Sequence, residues 1–177
     1  EGTAVATSPD GKWILARRIL TTPATLVLLP TGAGQPRTFP KDSIDRSAAT
    51  RFTAFLPDGK RIAFNGNEAG KPRRVFIQSI DGGAARPVTP EGVTARLVSP
   101  DGKFLLTETA GQGFGLAPLD GDGSPVPIRG LEPSDDPLRW AADGRSLFIS
   151  SSEDVFPARV YRLDLETGRR EVWKEFM

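Results

Sequence analysis

Ser99-Pro100-Asp101-Gly102-Lys103, followed by Phe104-Leu105-Leu106-Thr107-Glu108, is the stretch on which the reading of this chain turns. Glycine adopts positive φ freely and aspartate tolerates it, so Asp-Gly predicts a tight two-residue hairpin. Pro100 has no N–H to give to a sheet ladder and ends the incoming strand. The segment therefore reads as strand, turn, strand. Two copies lie upstream, Ser8-Pro9-Asp10-Gly11-Lys12 and Leu56-Pro57-Asp58-Gly59-Lys60. A fourth, Ala141-Ala142-Asp143-Gly144-Arg145, lies downstream and has alanine in place of proline. The four aspartates are 48, 43 and 42 positions apart.

The strand leaving each turn has a shared pattern. The third and fifth residues after glycine are Ile14/Ala16, Ile62/Phe64, Leu105/Thr107 and Leu147/Ile149, and the fourth is Leu15, Ala63, Leu106 or Phe148. Strict alternation would give one wet face. Apolar residues on both faces predict a sheet covered on both sides. A second turn follows in every copy: Pro30-Thr31-Gly32, Asp81-Gly82-Gly83, residues 120–123, and Glu166-Thr167-Gly168. An apolar residue anchors the strand beyond it: Phe39, Val88, Ile128 or Val172, lying 28, 29, 26 and 28 residues after the first glycine. Two landmarks in register define a four-stranded unit, and a repeat of roughly 40–45 residues built this way is a β-propeller blade. The expected fold is all-β, a propeller of about four blades with four antiparallel strands each, over residues 3–40, 50–89, 94–129 and 137–174. Four blades is the low extreme for a ring. The expectation is a partial domain whose ring continues upstream, ahead of a closed four-blade ring or two chains completing eight blades.

Composition narrows the chemistry. The 177 residues carry 23 basic and 22 acidic side chains, so charge selects neither nucleic acid nor membrane as a partner. No apolar run approaches the roughly 20 residues that span a bilayer, and no leader precedes Glu1, which reads as a fragment or processed product. Cysteine and histidine are both absent. That removes thiolate metal sites, the Ser-His-Asp triad, zincin-type sites and a histidine base. No cofactor, metal or catalytic residue is expected. Gly111-Gln112-Gly113-Phe114-Gly115 has its third glycine misplaced for a dinucleotide fingerprint and reads as a hairpin loop. Asp120-Gly121-Asp122-Gly123-Ser124 begins like a calcium loop, but Leu131 stands where the bidentate Glu belongs. Trp140 and Trp173 fall on strands and are expected in the core.

The repeated turn followed by an aliphatic strand resembles the TolB-like repeat, a relative of the WD repeat. Copies one and three carry it in full, copy two lacks the serine, and copy four keeps the Asp-Gly core. The resemblance implies a propeller and leaves function open. Sugar lyases of that family rely on histidines for their metal, and this sequence has none. Residues 137–147 and 157–170 are similar to the C-terminal propellers of bacterial receptor-type serine/threonine kinases. That likeness implies an extracytoplasmic sensor domain. The gating propeller of a prolyl-oligopeptidase-like peptidase and a periplasmic Tol-Pal component are the alternatives.

The expected activity is binding of a protein or small ligand, without catalysis by this chain. Inter-blade loops carry binding in such folds. The candidate contacts are Lys41, Asp42, Asp45 and Arg46 in the long loop 41–50, and Glu132, Asp135 and Asp136 in the exposed acidic loop 132–137. Open apolar blade edges would also allow a homodimer.

Overall fold

The computed structural model describes residues 2–18, 24–39, 42–46, 52–120, 124–154 and 156–177. Every regular element among them is a strand, and the sixteen strands form four antiparallel four-stranded sheets. The first blade holds β1 (Gly2–Thr7), β2 (Trp13–Arg18), β3 (Thr25–Pro30) and β4 (Arg37–Thr38). The second holds β5 (Thr53–Phe55), β6 (Arg61–Gly66), β7 (Arg74–Ser79) and β8 (Gly82–Pro87). The third holds β9 (Val93–Val98), β10 (Phe104–Thr109), β11 (Gly113–Pro118) and β12 (Val126–Pro127). The fourth holds β13 (Asp135–Trp140), β14 (Ser146–Ser151), β15 (Ala158–Asp164) and β16 (Arg170–Phe176). Each blade is a meander in sequence order.

The Asp-Gly turn differs in detail from the two-residue hairpin. In all four copies the glycine N–H donates to the carbonyl three residues back, as Gly102 N does to Ser99 O at 2.9 Å. Only the glycine has positive φ, from +65° to +70°, and no described non-glycine residue does. The chain turns over Pro-Asp, with glycine as the last of four residues, as in a type I turn. Proline suits the second position of that turn because its φ is already set.

Three apolar cores lie between consecutive blades. The first joins Leu15, Leu26 and Leu28 to Ile62, Phe64 and Phe76. The second joins Ala63, Val75 and Ile77 to Ala95, Leu105 and Leu119. The third joins Leu106 and Ile128 to Leu147, Ile149 and Leu163. Within these cores the fourth residue after the glycine (Leu15, Ala63, Leu106) faces the following blade, and Ile62, Phe64, Leu105, Leu147 and Ile149, third or fifth after it, face the preceding one. Leu15, Ala63 and Leu106 are fully buried as a result. Phe148, the same position in blade four, has no following blade among the described residues. It is covered by its own sheet: the Trp173 ring at 4.8 Å and the Arg139 guanidinium at 5.1 Å.

Trp140 packs partly buried against the third core, as expected. Trp173 does not: it is 54% exposed. It is the extra residue of a bulge in the outermost strand, between Val172 and Lys174, on the free face of the last blade. The segment 132–137 also departs from an exposed loop. β13 begins at Asp135, whose residue is only 4% exposed, and Pro137 pairs with Ile149 inside the sheet. Gly111 lies in the short β10–β11 turn at φ +75°, a hairpin as expected.

Candidate functional site

The first strand of each blade lies innermost. β1 packs on β5, and β9 packs on β13. β1, β5 and β9 together wall a concavity of ≈ 810 Å³. Its lining includes Val5, Phe52, Ala54, Phe55, Leu97 and Val98, with Pro9, Pro57 and Pro100 from three of the repeated turns. Among the described lining residues, Arg96 carries the only charge.

Three of the inner strands share a local device that aims side chains. In β1, β9 and β13 the register against the second strand slips by one residue, leaving Val5, Arg96 and Leu138 as the extra residues. These three occupy the same place in their blades. A bulge re-aims the side chain it frees and commonly does so beside functional sites. Arg96 Nη2 meets Asp136 Oδ1 at 2.5 Å, and its Nη1 meets Glu108 Oε2 at 3.4 Å. The guanidinium carbon lies 5.8 Å from the Phe114 ring centre. Arg96 also lines an adjoining concavity of ≈ 320 Å³, with Asn65, Arg73, Thr94 and Glu108.

The candidates from the sequence fall into two groups. Asp42 and Arg46 form a two-pronged ion pair at 2.6 and 2.7 Å. Arg46 also donates to Ile44 O and to Gln78 Oε1, and lies 4.9 Å from the Phe64 ring centre. Its side chain is 5% exposed. Asp42 is held below its ordinary range: burial acts against ionisation, but the Arg46 hydrogen bonds and charge outweigh it. Asp45 makes a backbone bridge with Asn67. Asp135 repeats the Asp42 theme: Arg170 Nη2 donates to its Oδ1 at 2.9 Å, Glu132 N donates to its Oδ2 at 2.8 Å, and Arg170 lies over Tyr161. In both linkers a carboxylate and an arginine, the latter stacked on a blade aromatic, pin the crossing chain. Glu132 is exposed on that linker. Asp136 stands apart, on the inner strand with its side chain 57% exposed, and meets Arg96. Lys41 and residues 47–50 lie outside the described residues, as do residues 121–123 of the calcium-like loop. Asp120 accepts from Arg61 and Arg86 of the preceding blade.

Two residues escaped the sequence reading. Arg96 sits in a strand whose alternation a bulge interrupts, and a single sequence carries no sign of that slip. Asn65 is buried, and its amide both donates to Ala95 O at 3.0 Å and accepts from Ala95 N at 2.9 Å. It replaces a strand partner for the next blade. Its partner lies 30 positions away and leaves no sign in the local pattern.

No protein-family model matches the chain. It is 34% identical over 100 residues to "Uncharacterized peptidase YuxL" of Bacillus subtilis (strain 168), a match covering 52% of this chain and 14% of that protein. Among solved structures, TolB from Acinetobacter baumannii superposes with a TM-score of 0.72 at 19% identity, over 99% of this chain and 44% of that one. Oligogalacturonate lyase from Vibrio parahaemolyticus gives 0.71 at 12% identity, over 97% and 52%. This chain has the TolB-like β-propeller fold. It spans only part of each of these proteins.

Proposed function

We propose that this chain is the non-catalytic binding module of a larger protein, taking a protein segment or small molecule at its axial concavity. The carrying observation is that cavity: apolar walls from three inner strands, a proline rim, and one arginine brought in by a bulge. Several carboxylates that could do acid-base work are engaged in the fold itself. The turn aspartates cap backbone amides, and Asp42 and Asp135 pin linkers. The likeness of the fourth copy to receptor-kinase propellers supports an extracytoplasmic sensor setting. The end faces of blades one and four would then meet further blades or a second copy. A panel of short peptides screened by thermal shift tests the site. Ala54→Arg fills the cavity from β5, so shifts seen with the parent and lost in this variant are expected. Shifts that persist unchanged in the variant would place binding elsewhere.

The YuxL match favours a second reading, a propeller standing beside a peptidase domain and gating its entrance. A Tol-Pal type component would share the fold. The flanking gene sequence separates them. A kinase and membrane span point to the sensor, whereas an α/β-hydrolase domain with a serine elbow and a histidine points to the peptidase.

A further inference from the structure

We propose that Arg96 makes the axial cavity a site for an apolar peptide ending in a free carboxylate, which enters by exchanging with Asp136. This inference rests on the binding role proposed for the cavity and adds the chemistry of its occupant.

The walls supply burial for apolar side chains through Val5, Phe52, Ala54 and Val98. They hold no acidic residue among those described, and Arg96 is the one charged residue on them. A guanidinium presents a planar fork of donors that matches a carboxylate. The bulge in β9 makes this residue the extra one on the inner strand, where regular alternation would place Leu97 or Ala95 in its row. The fork meets Asp136 at 2.5 Å and reaches Glu108 only at 3.4 Å. Asp136 is more than half exposed, so its ion pair is of the surface kind and easily given up to water. Exchange keeps the charge at Arg96 matched: one carboxylate leaves and another arrives. An apolar amide lacks the second half of that recognition, and a small hydrophilic acid lacks the first.

The test is calorimetric titration of the 177-residue chain with N-acetyl-Leu-Phe as the free acid and as its C-terminal amide. The acid should bind roughly tenfold more tightly than the amide, the difference one charge-assisted hydrogen-bonded pair makes. Arg96→Gln should erase the difference between the two peptides. Asp136→Asn removes the competing carboxylate and should tighten the acid while leaving the amide unchanged. The Asn variant preserves size at an exposed position and keeps the test independent of any folding defect in Arg96→Gln. Equal binding of acid and amide to the parent overturns the carboxylate assignment and leaves the cavity reading standing. Weaker acid binding in Asp136→Asn overturns the exchange. Failure of both peptides, together with the thermal-shift panel, sinks the cavity reading as well.

Discussion

The Asp of each repeated turn does the same work with different helpers. In blades one and three its Oδ1 accepts from the serine hydroxyl at 2.6 Å and from the amide two residues on. The serine Oγ in turn accepts from the amide five residues on, Trp13 or Phe104. Blade two has leucine instead, and Asp58 takes the amides of Lys60 and Arg61 directly. Blade four has alanine, and Asp143 takes Arg145 and Ser146. Ser8 and Ser99 hydroxyls, followed by backbone amides, hold Asp10 and Asp101 below the ordinary carboxylate range; the Arg145 amide leads for Asp143. A depressed folded pKa stabilises the fold above the unfolded value, about 3.9, and the benefit is lost as pH falls below it. The melting temperature should therefore drop with a steepening slope below about pH 4. Asp101→Asn keeps the acceptor, removes the titration and should reduce that slope, measured by thermal unfolding across pH. Glycine at the turn's end adds a second prediction. Gly102→Ala and Gly144→Ala both force alanine into positive φ, a cost of roughly 1–2 kcal/mol. A Cβ on Gly102 also meets Pro57 Cδ of the neighbouring blade at 3.1 Å, whereas one on Gly144 meets nothing within 4 Å. Urea denaturation should find Gly102→Ala the more damaging; equal losses would mean that Pro57 yields freely.

Strands and linkers are joined by polar devices that the apolar pattern does not announce. Asn65 closes a two-bond link to the Ala95 backbone across the second and third blades. Asn65→Ala should cost roughly 2–3 kcal/mol, because it leaves a buried N–H and C=O unpaired. Faster amide exchange at Ala95 would localise the loss, and unchanged exchange there would refute the link. The Asp42–Arg46 pair fixes the first linker over Phe64, close enough that a Cβ on Gly66 would meet Ile44 Cγ2 at 2.9 Å. Arg46→Ala strands a half-buried carboxylate and should cost roughly 3 kcal/mol by denaturant unfolding. A loss of a few tenths would make the pair a surface contact. These linker residues were singled out in the sequence for their charge and loop setting. Their spacing could not tell a binding contact from an internal clamp, since the partner residues Phe64 and Gln78 lie 18 and 32 positions from Arg46.

At the scale of the molecule, stability rests on three inter-blade cores whose members alternate between two neighbours. The same strand position therefore has unequal weight along the array. Leu106, fully buried between blades three and four, should cost roughly 2–5 kcal/mol on truncation to alanine. Trp173, on the free face of blade four, should cost less than about 1 kcal/mol despite its size. Equilibrium unfolding of the two variants checks the order. A Trp173→Ala loss matching that of Leu106→Ala would mean that the last face is packed in solution.

The repeat, the meander within each unit and the two-faced burial of the second strand were legible because they follow from local chemistry: a turn residue, a strand end and a period. The core positions Leu15, Ala63, Leu106 and Leu147 followed from the same pattern. The tertiary structure alone decided the exposure of Trp173, the burial of Asp135 and the aim of Arg96. Each depends on a bulge or a long-range partner, and a one-residue slip turns a side chain to the other face without altering the composition around it.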